Sequence, residues 1–343
     1  MDLTGAIAAH LAEWETAVVE HETFGTDDPR AIAASLERLV ADSLGAAVAR
    51  CLFYRTSVGS VAGVELGDGR RVVIKAHQPR VSRERLVAVQ GVMLALSAAG
   101  FPCPRPLVAP VPLARGLATA EEMLDGGEAR DGHDPAVRRA LARLLAELVA
   151  VVEPTPARAP LGASWFSGLP ADRLWPRPHS PLFDFEATRA GAEAIDAIAA
   201  EARRAPRAGA RVVGHFDWRT EHARFSGDRV VAVFDWDSLH VDLEPVAVGA
   251  AAHAFCTDWE RDPADAPTAA PSADEARAFV ADYEDARGRR FEGVERLTLA
   301  GSLVYSLAYT ARCVHAAGAA PNDRARGFVR LVEDEGAALI RGL

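Results

Sequence analysis

Apolar residues recur at helical spacing early in the chain and switch to alternation near residue 47. Ile32, Leu36, Leu39 and Val40 follow Asp28 and Pro29, a capping residue and a proline suited to a first helical turn. This predicts a helix over 28–44, within an N-terminal helical appendage spanning 1–46. Alternating, β-branched runs then extend from Val48 to Tyr54, Val61 to Leu66 and Arg71 to Ala76. Asp68-Gly69 is a hairpin signal between the last two, because glycine accepts positive φ. Ser57 to Ser60 links the first two, so a three-stranded antiparallel meander is expected, ending in VVIK. A helix is predicted over 82–99, stopping at Gly100 before the extended FPCPRPL segment. Residues 117–124 read as a strand, and Asp125-Gly126-Gly127 as a hinge.

Beyond the hinge the pattern is mainly helical. Asp134-Pro135 opens a helix with Val137, Leu141, Leu144, Leu145, Leu148 and Val152 on one face. The Pro- and Trp-rich stretch 154–181 reads as a semi-rigid loop, and a helix from Glu186 to Arg204 follows. Residues 211–239 read as a loop, a short strand, a Gly227-Asp228 turn, a second strand and a loop. Ser272 and Glu275 form a capping box ahead of Phe279, Val280 and Tyr283, with further helices at 293–316 and 322–341. The expected organisation is α+β: a β-rich lobe over 47–125 and a helical lobe over 126–343.

Charge and composition narrow the function classes. The net charge of −10 over 343 residues argues against a nucleic-acid binder. Four cysteines, far apart and without a CxxC, read as reduced and buried rather than as zinc ligands or disulfides. The N-terminus carries acids where a signal peptide needs positive charge, and no stretch approaches the ~18 apolar residues of a membrane span. A cytoplasmic protein is expected. Of 38 basic residues only Lys75 is a lysine, and it falls at the end of the third predicted strand.

Candidate chemistry concentrates between 215 and 242. His215, Asp217, Glu221, His222, Asp235, Asp237, His240 and Asp242 lie there. Asp217 and Asp235 flank a short hairpin that brings both carboxylates to one end. Two such groups suit a division of labour, one orienting an attacking hydroxyl and the other holding a divalent cation on phosphate oxygens. A nucleotide-binding protein without transferase activity and a metal-dependent hydrolase use the same residues, but the hydrolase leaves Lys75 without a role.

HFDWRTEH followed by VVAVFDWDSL resembles the aminoglycoside phosphotransferase / choline kinase-like family, relatives of the protein kinases. The family pattern is H-G-D-x-x-x-x-N, a hairpin and I-D-W. Its offsets of five and thirteen recur between Asp217, His222 and Asp235. The resemblance covers roughly residues 47–255 and implies a protein-kinase-like two-lobe fold. It implies ATP or GTP as donor, Mg2+ as metal, and a small-molecule hydroxyl as acceptor; the imidazole of His222 makes Mn2+ the alternative metal. Asp217 would be the catalytic base, Asp235 a metal ligand, Lys75 the phosphate-binding lysine, and Arg219 a cation facing the γ-phosphate. His215 would brace the loop. Ser57 and Gly59 would cover the phosphates, and the backbone of Glu122 and Leu124 would meet the base. The acceptor wall would draw on Trp165, His179, Asp184, Glu186 and Asp237, suiting an amino sugar or aminoglycoside. Three positions depart from the pattern. His222 replaces the metal-ligating Asn. Gln90, or Glu84, replaces the Glu that pairs with the lysine. Asp242 or Glu244 replaces an Asp early in the next helix.

Overall fold

The computed structural model describes residues 1–13, 16–180, 183–262, 268–320 and 323–342. Pro181, at the end of the expected proline-rich loop, and Asn322, where the last helix was expected to begin, lie outside these residues. The chain divides into two compact units. The first comprises Met1–Ala98 and Cys103–Asp125, the second Ala99–Pro102 and Gly126–Leu343.

The first unit opens with helices α1 (Leu3–Ala12), α2 (Val18–Phe24) and α3 (Pro29–Leu44). Strands β1 (Val48–Thr56), β2 (Ser60–Leu66) and β3 (Arg71–His77), helix α4 (Arg83–Ala98), and strands β4 (Pro106–Leu113) and β5 (Gly116–Glu122) follow. They build one antiparallel sheet in the order β1-β2-β3-β5-β4. Residues 1–46 do not stand apart from it. Leu3, Ile7, Ile32, Leu36 and Val40 share a core with Ala62, Val64, Leu66, Val72 and Ile74. Alternation along β3 then turns Val73, Lys75 and His77 to the other face of the sheet. The segment expected as extended chain after Phe101 leads into β4. Its three prolines are tolerated because β4 is an edge strand, where a missing N–H faces no partner.

The second unit holds α5 (Pro135–Val151), α6 (Trp165–Gly168), α7 (Glu193–Arg203), β6 (Arg211–His215), β7 (Ala223–Ser226), β8 (Arg229–Val233) and β9 (Leu239–Leu243). Helices α8 (Glu244–Ala252), α9 (Ala273–Arg287), α10 (Val294–Ala316) and α11 (Arg326–Arg341) complete it. The helix expected from Glu186 begins seven residues later, at Glu193. Asp184 Oδ1 instead accepts the amides of Glu186 (3.0 Å) and Ala187 (2.9 Å), fixing a turn, and Gly191 at φ +83° breaks any continuous helix. Two hairpin-like ladders, β6-β9 and β7-β8, carry the loops of interest. Below them α8 is buried along its whole length, as its apolar sequence on every face requires.

Candidate active site

Four buried groups fix the loop after β6. His215, fully buried, lies edge-on between Trp218 and Trp236, with ring centroids 5.4 Å away on both sides. Its Nδ1 accepts the Asp217 amide at 3.3 Å, and burial holds its pKa down at about 4, so the ring is neutral. Trp218 Nε1 donates to the Leu141 carbonyl of α5, and Thr220 donates its amide to Phe255 and its hydroxyl to Arg130. Across the β7-β8 hairpin, Trp236 Nε1 donates to Val233, and the Phe234 amide donates to the His222 carbonyl. Asp235 adopts φ 61° and ψ 50°, a left-handed conformation that costs a non-glycine residue roughly 1–3 kcal/mol.

This frame brings Asp217, His222 and Asp235 together. One donor atom from each lies within 4.8 Å of the others. His222 Nε2 is 3.2 Å from Asp217 Oδ2 and 3.7 Å from Asp235 Oδ2. Arg219 completes the group. Its Nε is 2.8 Å from Asp217 Oδ1, its Nη2 is 2.9 Å from Asp217 Oδ2 and 2.8 Å from His222 Nε2, and its Nη1 is 3.1 Å from Glu221 Oε2. Burial alone would raise the Asp217 pKa, but positive charge beside it, chiefly the Arg219 guanidinium, holds the carboxyl well below its usual range. Asp217 is therefore ionised at neutral pH. An imidazole nitrogen with two carboxylates is a donor set that a divalent cation accepts, so the residues fit the metal that the sequence resemblance implies. Glu221 escaped the sequence reading as the second carboxylate on Arg219, because the Arg-x-Glu spacing alone does not show both side chains turning to one side.

In the first unit Lys75 is 7% exposed and lies 3.7 Å from Glu121 on β5. Glu121 follows Thr119, the cross-strand partner of Lys75, by two residues and so shares its face. The carboxylate beside the lysine is thus on a strand. Gln90, expected to take that role from α4, donates instead to the Val108 carbonyl at 2.8 Å, while Glu84 is exposed. Ser57 is exposed in the β1–β2 turn. Gly59 has a packing reason to be glycine, since a Cβ there would meet the Ala76 carbonyl oxygen at 2.6 Å. Glu122 ends β5, donating its amide to Arg105, and Leu124 lies two residues beyond.

The remaining expected residues sit apart in role. Asp237 is half-buried in the turn after Asp235. Asp184 is committed to its own turn, as above. Asp242 accepts Ser164 Oγ (2.5 Å), Ser164 N (3.0 Å) and Ser167 Oγ (2.7 Å), which ties α6 to β9. Glu244 accepts Tyr283 Oη and Arg287 Nε, both at 2.8 Å. Trp165 is 45% exposed, its ring 4.8 Å from Tyr309, with Trp175 stacked on Tyr305 behind it.

Comparison with known proteins decides what this group belongs to. Residues 60–290 match the family model described as "Phosphotransferase enzyme family". The chain belongs to that family. It is a small-molecule phosphotransferase of protein-kinase-like fold. No curated protein sequence matches it. Among solved structures, amicoumacin kinase in complex with AMP-PNP, Ca2+ and Ami aligns at TM-score 0.58 and 12% identity, over 90% of this chain and 96% of that one. Spectinomycin phosphotransferase in complex with ADP and spectinomycin aligns at TM-score 0.56 and 11% identity, over 89% and 98%. The macrolide 2′-phosphotransferase of Brachybacterium faecium aligns at TM-score 0.51 and 18% identity, over 88% and 98%. At these identities the phosphotransferase shares their fold. Among the described residues no helix is long and apolar enough to cross a membrane.

Proposed function

We propose that the protein transfers the γ-phosphoryl group of ATP or GTP to a hydroxyl of a small molecule, with Asp217 orienting that hydroxyl. The observation that carries the reading is the meeting of Asp217, His222 and Asp235 at the spacings of five and thirteen residues that the family pattern uses. In phosphoryl transfer through a loose transition state a strong base is not needed. A carboxylate held ionised by Arg219 suits this: it accepts a hydrogen bond from the acceptor hydroxyl and takes its proton as the oxygen–phosphorus bond forms. The bond from phosphorus to the bridging oxygen breaks, and the nucleoside diphosphate leaves. Asp235, with His222, would hold the divalent cation, Mg2+ or Mn2+, which supplies charge neutralisation on the phosphate oxygens. Lys75 would bind the phosphates as a buried ammonium whose orientation is set by Glu121. Ser57 and Gly59 would cover the phosphates, and the backbone of Glu122 and Leu124 would take the base.

The acceptor side is supported by Trp165 and Asp237. Kinases of amicoumacin, spectinomycin and macrolides share the fold. An exposed indole backed by Tyr309 supports an acceptor with a flat or apolar face. With Asp184 committed to backbone amides, an acceptor recognised by many positive charges has less support than the wall of acids expected from the sequence gave it.

A screen of amino sugars, aminoglycosides, macrolides and amino alcohols for γ-phosphate transfer tests the reading, with ATP and GTP and with Mg2+ and Mn2+. Transfer to at least one class is expected, with loss in Asp217→Asn of about 10²-fold or more. Nucleotide turnover that Asp217→Asn leaves unchanged would refute it.

A further inference from the structure

The nitrogen of His222 that faces the two carboxylates carries a lone pair. Arginine has only N–H donors, so the 2.8 Å contact from Arg219 Nη2 makes His222 Nε2 the acceptor and places the ring proton on Nδ1. That same Nε2 points toward Asp217 Oδ2 at 3.2 Å and Asp235 Oδ2 at 3.7 Å. Three acceptors thus converge, an arrangement that requires a cation. Arg219 supplies one, ion-paired with Asp217 and hydrogen-bonded through Nη2 to Asp217 Oδ2 and His222.

We propose that Asp217, His222 and Asp235 form a site that binds a first-row transition cation of the Mn2+ type without nucleotide, and that Arg219 is the internal cation which competes for it. The inference goes beyond phosphotransfer, because it concerns loading of the free protein. Adjacent ligands of a small divalent ion, about 2.1 Å from it, stand roughly 3.0–3.4 Å apart, close to the separations around His222 Nε2. An imidazole nitrogen suits Mn2+ and later ions, whereas Mg2+ takes oxygen ligands and gives up water reluctantly. Arg219 has somewhere to go when displaced. Its Nη1 already reaches Glu221 Oε2 at 3.1 Å, and Glu221 in turn accepts the Trp259 amide at 3.3 Å. The guanidinium can therefore leave His222 and keep a carboxylate partner.

Titration of the nucleotide-free protein with Mn2+, read by the electron paramagnetic resonance signal of free Mn2+, tests this. Wild type is expected to bind one equivalent and to release it only to a large excess of Mg2+. His222→Asn should weaken Mn2+ binding by at least about tenfold and remove the preference over Mg2+. Arg219→Gln should tighten Mn2+ binding roughly tenfold, since the competing cation is gone. If that variant lacks a cooperative melt in EDTA, Arg219→Lys replaces it; Lys offers fewer donors, and tighter binding than wild type is again expected. Failure of both wild type and the Arg219 variant to bind Mn2+, an unchanged His222→Asn, or weaker binding in the Arg219 variant overturns the proposal. Phosphotransfer with Mg2+ alongside no Mn2+ binding would refute this inference and leave the proposed function standing. Mn2+ binding without any transfer would do the reverse.

Discussion

Lys75 and His253 show how far a single residue can be read. The lone lysine was legible because 37 of 38 basic residues are arginine and it ends a β-branched run. Its surroundings were not, because a partner two positions along a neighbouring strand depends on register. Burial changes what its substitution should do. Lys75→Ala is expected to cut turnover by about 10²-fold or more through lost phosphate binding. It should also lower the melting temperature, since the ammonium 3.7 Å from the buried Glu121 carboxylate is gone. Adding Glu121→Gln should restore the melting temperature and not the turnover. Recovery of both would show that Lys75 acts only in packing. His253 gives a pH signature. Burial holds its pKa down at about 4 against its ordinary 6.5, although Ala250 accepts from its Nδ1. Between those values the unfolded chain holds a proton that the folded one does not, so acid favours unfolding. The contribution is complete above pH 6.5 and is lost as pH falls toward 4. His253→Gln should flatten the fall in chemical stability over that window by up to ~1.4 kcal/mol per pH unit. An unchanged slope would mean that His253 is protonated in the folded state.

At the scale of elements, helix starts were the most readable features. Asp28, Asp134 and Ser272 each cap the helix expected of them, through side-chain bonds within three residues. Such signals are local, so the sequence carries them whole. Strands β4, β6 and β9 were missed because pairing decides them. β4 is proline-rich and survives only at a sheet edge, and β9 exists by its ladder to β6. The same distance effect hid the anchoring of α6. Asp242, weighed as a substitute for an Asp early in the next helix, accepts three donors from Ser164 and Ser167 more than 70 residues away in sequence. Asp242→Ala leaves those donors buried and should cost on the order of 2–3 kcal/mol in chemical denaturation. It should also raise KM for the acceptor more than it lowers kcat, if Trp165 on α6 contacts that acceptor. A kcat loss at constant KM would place the effect on the Asp217 loop instead.

For the molecule as a whole, the motif spacing made the meeting of Asp217, His222 and Asp235 readable, while the extent of the first unit was not. The region 1–46 carries no chemical residues and reads as an appendage, because a short amphipathic helix shows which face is apolar without showing what covers it. In the structure α1 and α3 cover one side of the sheet. Ile32, Leu36 and Val40 are as buried as Val64, Val72 and Ile74 beneath them. Each such side chain contributes roughly 1.5–3 kcal/mol when taken from water, and a domain is stable by only ~5–15 kcal/mol. Deleting residues 1–46 strips eight of the 18 buried residues of that core and exposes the sheet face opposite Lys75. The shortened protein is expected to aggregate, or to bind an apolar dye with loss of its cooperative melt. The second unit has its own core around α10 and should retain helical circular dichroism. A truncated protein that melts cooperatively, binds no dye and keeps nucleotide affinity would show that the helices are an appendage after all.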